Sequence, residues 1–176
     1  MENKELVKLS ELIKLRNKVE IEAAEILEKP LLIGNVGDYI ASEVFDIELH
    51  KDKKKKACDG YFRSGLLKGK SVNIKFYGRR GRLLDINQEA LPDYYLVMMG
   101  EPTKLSRCPW NIESVHLFRA EEIEEELKAR VKLGTATSVR QRYWEKAIIY
   151  PHNNSEAYKI SVEQFEMLEL FAPEKE

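Results

Sequence analysis

The chain has 176 residues, 43% of them apolar and 34% charged, which suits one domain with a proper core and excludes a disordered chain. The formal net charge is −1, so any nucleic-acid surface has to be local, made by sorting lysines and arginines onto one side. Two cysteines, Cys58 and Cys108, exclude a cysteine metal cluster or disulfide scaffold and point to a reducing cytoplasm; the charged opening MENKELVKLS shows no secretory signal, and no apolar run approaches the ~20 residues of a membrane span.

The first 28 residues lack Gly and Pro and place Leu6, Leu9, Ile13, Ile26 and Leu27 at roughly helical spacing, which predicts one long amphipathic helix ending before Pro30. Val36, Ile40, Val44 and Ile47 predict a second helix from about Asn35 to Asp46. With Val36 at 0° and 100° per residue, Ile40 falls at about 40°, Val44 at about 80°, Ile47 at about 20° and Glu43 at about −20°. That puts Glu43 inside the apolar stripe, where a carboxylate needs a cation, a metal or hydrogen-bond donors, unless it bends outward at the stripe's edge.

Two strand-like runs follow, Ala57–Arg63 and Ser71–Tyr77, joined by SGLLKGK with Gly65 and Gly69 in the turn. Alternation sends Val72, Ile74 and Phe76 to one face and Asn73, Lys75 and Tyr77 to the other. A hairpin symmetric about Leu67 sets Asp59 across from Lys75, so Asp59, Asn73 and Lys75 share one polar surface. An aspartate facing a lysine there is equally the signature of a solvated ion pair worth ~1 kcal/mol or less.

DYYLVMMG supplies a continuous apolar run, Tyr94 to Met99, suited to a strand buried on both faces. NIESVHLF is a further strand. RAEEIEEELKARVKLG has glutamates early, Lys128, Arg130 and Lys132 late and Gly134 as a stop, the charge order that complements a helix dipole. Helices from about Ser138 to Ile149 and after Ser161, whose spacing to Gln164 fits a capping box, complete the order. Together these give one α/β (α+β) domain over residues 1–176: an N-terminal helix (1–28), a core (34–131) built on a mixed four- to five-stranded sheet flanked by helices, and a helical extension (135–176).

The order of a helix bearing a glutamate, a strand with an aspartate, a hairpin, and a strand with x-x-Lys resembles the PD-(D/E)XK nuclease superfamily, the restriction endonuclease-like fold, over roughly Gly34 to Arg130. The whole chain is also similar to an uncharacterised prokaryotic domain family. The resemblance matches Glu43 to the helix glutamate, Asp59 to the strand aspartate and Asn73-Ile74-Lys75 to the acidic-x-lysine signature. It implies a metal-dependent nuclease acting on DNA, with Mg²⁺ (or Mn²⁺) held by Asp59, Asn73 and the Ile74 carbonyl, Glu43 assisting, and Lys75 orienting the attacking water. Asn73 stands where the family has Asp or Glu. An amide oxygen ligates a hard cation but brings no charge, so a nuclease-fold module that binds nucleic acid or a protein partner without cleavage, with no metal, is the alternative.

Lys54, Lys55 and Lys56 of KDKKKK precede the Asp59 strand, and Arg79, Arg80 and Arg82 of GRRGR follow the Lys75 strand. With Arg63 they are candidates to flank a phosphate backbone, although a lysine run is also an ordinary solvated loop. His50, His116 and His152 are spread too far for a zinc set, and His116 reads as a packed or hydrogen-bonded strand residue. GTATSVRQR lacks P-loop spacing and reads as a helix cap. Amphipathic helices at both ends make a homodimer an expectation.

Overall fold

The computed structural model describes residues 4–51, 58–79, 81, 83–86, 91–104, 106–128, 136–156 and 158–174. The helices are α1 (Lys4–Leu27), α2 (Ile33–Phe45), α3 (Ala120–Lys128), α4 (Gln141–Ala147) and α5 (Val162–Glu169). The strands are β1 (Ile47–Leu49), β2 (Gly60–Phe62), β3 (Ser71–Tyr77), β4 (Leu83–Asp85), β5 (Tyr94–Met99), β6 (Ser114–Arg119), β7 (Ala136–Ser138) and β8 (Ile148–Tyr150). Six strands form a mixed sheet in the order β1-β2-β3-β5-β6-β8, antiparallel except for the parallel pair β3·β5, and β4 pairs with β7 separately. The α/β (α+β) reading holds, with more strands than the four or five expected.

The sheet separates two cores. Val72, Ile74 and Phe76 of β3 join Leu96 and Met98 of β5 under α2, whose Ile40, Ala41, Val44 and Phe45 are buried. On the other face Tyr95, Val97 and Met99 pack with Phe118, Ile123 of α3 and Trp144 of α4. Because β5 is covered on both faces, all its residues are buried, as its unbroken apolar run predicts. Gly37 lets α2 lie close on β3: a Cβ there would stand 2.8 Å from the Cβ of Phe76.

Several expectations change. The second helix stops at Phe45, and Ile47, counted as its fourth apolar position, starts β1. Asp46 ends the helix in the left-handed region, with φ 52° and ψ 54°. The helix expected from about Ser138 to Ile149 is Gln141–Ala147: Ser138 ends β7, and Ile148–Tyr150 is a strand pairing with β6. The aliphatic and aromatic residues of Ile148–Tyr150 suit a sheet edge better than a helix terminus. The helix expected to reach Gly134 is described to Lys128; residues 129–135 lie outside the described residues. The Ser161 capping box is present: its hydroxyl accepts from Gln164 N at 3.2 Å, while Gln164 Oε1 accepts from Ser161 N at 2.9 Å. Gln164 Nε2 then donates to Val44 O at 2.9 Å, which ties α5 to α2.

A candidate site on the polar face of the central hairpin

The hairpin register differs from a turn centred on Leu67. Gly60 pairs with Val72 and Tyr61 with Ser71, and Phe62 N donates to Lys70 O at 3.1 Å. Arg63 continues the β1·β2 register, its backbone N–H donating to Asp46 O at 2.9 Å, and its guanidinium Nε donates to Asp46 Oδ1 at 2.7 Å. The strand expected over Ala57–Arg63 is Gly60–Phe62, and Ala57 lies outside the described residues. Asp59 precedes β2, outside the paired register, while Asn73 and Lys75 lie two residues apart on one face of β3. The expected Asp59–Lys75 opposition is not formed: Asp59 turns its N–H to β3 and its C=O to the β1 side, an irregularity at the start of β2, so alternation does not assign its face.

The Asp59 carboxylate reaches along β3: Oδ2 accepts from the backbone N–H of Ile74 at 2.7 Å. The Asp59 backbone completes the ladder on both sides, its N–H donating to Val72 O at 2.8 Å and its carbonyl accepting from His50 N at 2.9 Å. Two strands thus fix where the carboxylate sits. The N–H and C=O of one extended residue point to the same edge, so the Ile74 carbonyl faces that edge as well. Beside it the Asn73 Oδ1 is buried with no hydrogen-bond partner. A buried carbonyl oxygen left unpaired costs ~1–3 kcal/mol, which a cation or a donor would offset. Lys75 is half-buried, and among the described residues no carboxylate forms an ion pair with it.

Glu43 does not join this group. It is exposed, and α2 covers the face of β3 opposite Asn73 and Lys75. The stripe built on Val36 and Ile47 was misplaced, because the buried positions Gly37, Asp38, Ile40, Ala41, Val44 and Phe45 centre near ~120° rather than ~35°. The buried carboxylate of α2 is Asp38, only 3% exposed and engaged with a partner. The small residues Gly37 and Ala41 are the signal that marks the true face.

Of the expected nucleic-acid contacts, Arg79 is exposed directly after β3. Arg63 is held by Asp46, whose own pKa is lowered, first by the Ser64 hydroxyl and then by Arg63. Lys54, Lys55, Lys56, Arg80 and Arg82 lie outside the described residues.

Tyr77, next along the face, donates its hydroxyl to Asp85 Oδ2 at 3.3 Å and accepts from Asp85 N at 3.1 Å, and burial pushes its pKa up. His116 is buried between Trp144 O at 3.0 Å and Ser114 Oγ at 3.1 Å, the structural role its strand position suggests. Cys58 is buried, with Sγ 3.4 Å from His50 Nε2, and Cys108 is exposed. A cavity of about 420 Å³ at the start of β3 is lined by Lys70, Ser71, Asp93, Arg119 and Glu124, not by Asp59, Asn73 or Lys75. Among the described residues no group of three or more His, Cys, Asp or Glu is placed to hold a metal, and no helix is long and apolar enough to cross a membrane.

The fold and site define a mixed α+β protein in which an aspartate is bonded to the backbone of a strand that carries an amide and a lysine on one face. Neither the protein-family models nor the curated proteins give a match to this chain.

Proposed function

We propose that this chain is a metal-dependent, nuclease-like protein that hydrolyses phosphodiester bonds in DNA with Asp59, Asn73 and Lys75. One observation carries the reading: a carboxylate pinned to the Ile74 amide beside a buried Asn73 oxygen without a partner. The donors there, the Asp59 carboxylate, the Asn73 amide oxygen and the Ile74 carbonyl, are all oxygens, the set that Mg²⁺ or Mn²⁺ takes. When bound, the ion supplies Lewis-acid polarisation of the phosphate. Asp59 brings the negative charge of the site. Lys75 orients the attacking water and offsets charge developing on the phosphate. Arg79, and beyond the described residues Arg80, Arg82 and Lys54 to Lys56, hold the backbone of the nucleic acid.

One finding favours a second reading, a module of the same architecture that binds nucleic acid or a protein partner without cutting. Glu43 is exposed on α2, across the sheet, and so does not replace the charge that Asn73 lacks. Incubation of supercoiled and linear DNA with Mg²⁺ or Mn²⁺ separates the two. The first reading expects chelator-sensitive nicking that disappears in Lys75→Ala and Asp59→Asn. The second expects salt-sensitive binding with no product in any variant. Undiminished cleavage in Lys75→Ala removes the first reading.

A further inference from the structure

Helix α1 runs for 24 residues without a buried side chain. Helices in proteins owe most of their stability to packing an apolar face, so one with no fully buried residue, and with only Ala23, Ala24 and Leu27 of its apolar residues partly covered, calls for a partner. At 100° per residue, Leu12, Leu15, Val19, Ala23 and Ile26 share a stripe about 80° wide. Its four large members are each at least half exposed. Across from Leu12, Leu15 and Val19, Leu31 and Trp110 complete a cavity of about 440 Å³, so the stripe borders a groove whose other wall is also apolar.

The charges say which partner fits. Lys14, Arg16 and Lys18 form a basic block, followed at once by the acidic block Glu20, Glu22 and Glu25. This order opposes the helix dipole, which favours acids early and bases late, so it does nothing for an isolated helix. The ion pairs Arg16–Glu20 (3.1 Å) and Lys18–Glu22 (3.6 Å) also run with the base first, the weaker orientation within a helix. Against an antiparallel copy of itself the same order becomes complementary.

We infer that α1 pairs with α1 of a second copy of this chain, antiparallel, about a two-fold axis at Val19. That axis sets Leu12 against Ile26 and Leu15 against the small Ala23, stripe on stripe. Arg16 and Glu20 lie on one flank of the stripe, Lys18 and Glu22 on the other. The two-fold turns each flank onto itself in reverse, so Arg16 meets Glu20 of the second copy and Lys18 meets Glu22. The contact is isologous and closes as a dimer. A parallel pair would instead lay basic block on basic block.

Light scattering of the full chain at micromolar concentration is expected to give twice the monomer mass. Val19→Glu with Leu15→Glu gives the monomer mass with an unchanged melting temperature of the body, since neither side chain is buried in it. Arg16→Glu/Lys18→Glu and Glu20→Lys/Glu22→Lys each self-associate roughly tenfold or more weakly, and mixing the two restores the dimer. In a Cys108→Ser background, Leu12→Cys mixed with Ile26→Cys forms the crossed disulfide under mild oxidation, while Leu12→Cys alone does not. A monomeric wild-type chain, a dimer that survives the Glu substitutions, or Leu12→Cys linking to itself would overturn the proposal.

Discussion

Asp59 and Ile74 are joined across the hairpin, the carboxylate Oδ2 accepting the Ile74 amide at 2.7 Å. This bond places the one anion of the candidate site, and it gives Asp59 two separable roles. A hydrogen bond to a charged acceptor contributes ~1.5–3 kcal/mol, while the negative charge serves any cation. Asp59→Asn keeps an oxygen for Ile74 and removes the charge; Asp59→Ala removes both. Thermal melts in chelator are expected to show a small loss for Asp59→Asn and about 2 kcal/mol for Asp59→Ala, with metal-dependent stabilisation absent from both.

Asn73 is expected to lower stability in the absence of a ligand. Asn73→Leu removes the unpaired buried oxygen and should raise stability in chelator by about 1 kcal/mol. Asn73→Asp puts a second carboxylate beside Asp59, so the metal-free protein should melt lower. Mn²⁺ should then raise its melting temperature by more than it raises the wild type's. If Asn73→Leu destabilises and Asn73→Asp ignores metal, the oxygen is not a ligand.

Gly37 tests the seating of α2 on β3. Inside a helix, Gly→Ala ordinarily stabilises by ~0.5–1 kcal/mol. Here the new methyl would sit 2.8 Å from the Phe76 Cβ, an atom fixed close to the backbone. Overpacking costs ~1–3 kcal/mol, so Gly37→Ala should show a net loss in a denaturant titration.

Asp93 locks the start of the parallel pair. Its carboxylate accepts from Ser71 N and Ser71 Oγ, both at 2.8 Å, and from Lys70 Nζ at 3.0 Å, while its own N–H donates to Ser71 Oγ at 2.8 Å. Burial raises its pKa, but the Ser71 and Lys70 contacts outweigh burial and hold it below the ordinary aspartate value. A lowered folded-state value means stability that is present above the unfolded pKa of ~3.9 and lost as pH falls through the lower folded one. Asp93→Ala should cost on the order of 1 kcal/mol at pH 7, discounted for an exposed pair, and the gap from wild type should close below about pH 4.

How much of this was legible follows from length and burial. β5 was plain because burial on both faces leaves an unbroken apolar run, and α5 because Ser161 and Gln164 form a local motif. β1 and β8 are three residues each and continue the apolar spacing of α2 and α4, so periodicity absorbed Ile47 and Ile148 into helices. Anchoring the α2 stripe on Val36 and passing over Gly37, Ala41 and Phe45 turned it toward Glu43 and hid Asp38. That Asn73 and Lys75 share a face was readable from alternation alone, but the place of Asp59 and the hairpin register were not. The hairpin closes with Gly69 N donating to Phe62 O at 2.8 Å and with Gly65 and Gly69 at positive φ, loop geometry that alternation does not report.

The central claim, that Asp59 and Asn73 hold a cation beside the Ile74 amide, is tested most directly by paramagnetic broadening of amide NMR signals during a Mn²⁺ titration. The account predicts that the Ile74 resonance broadens early in the wild type, together with its strand neighbours, and stays sharp in Asp59→Asn. An Ile74 signal untouched while others broaden, or one that broadens equally in Asp59→Asn, would contradict it.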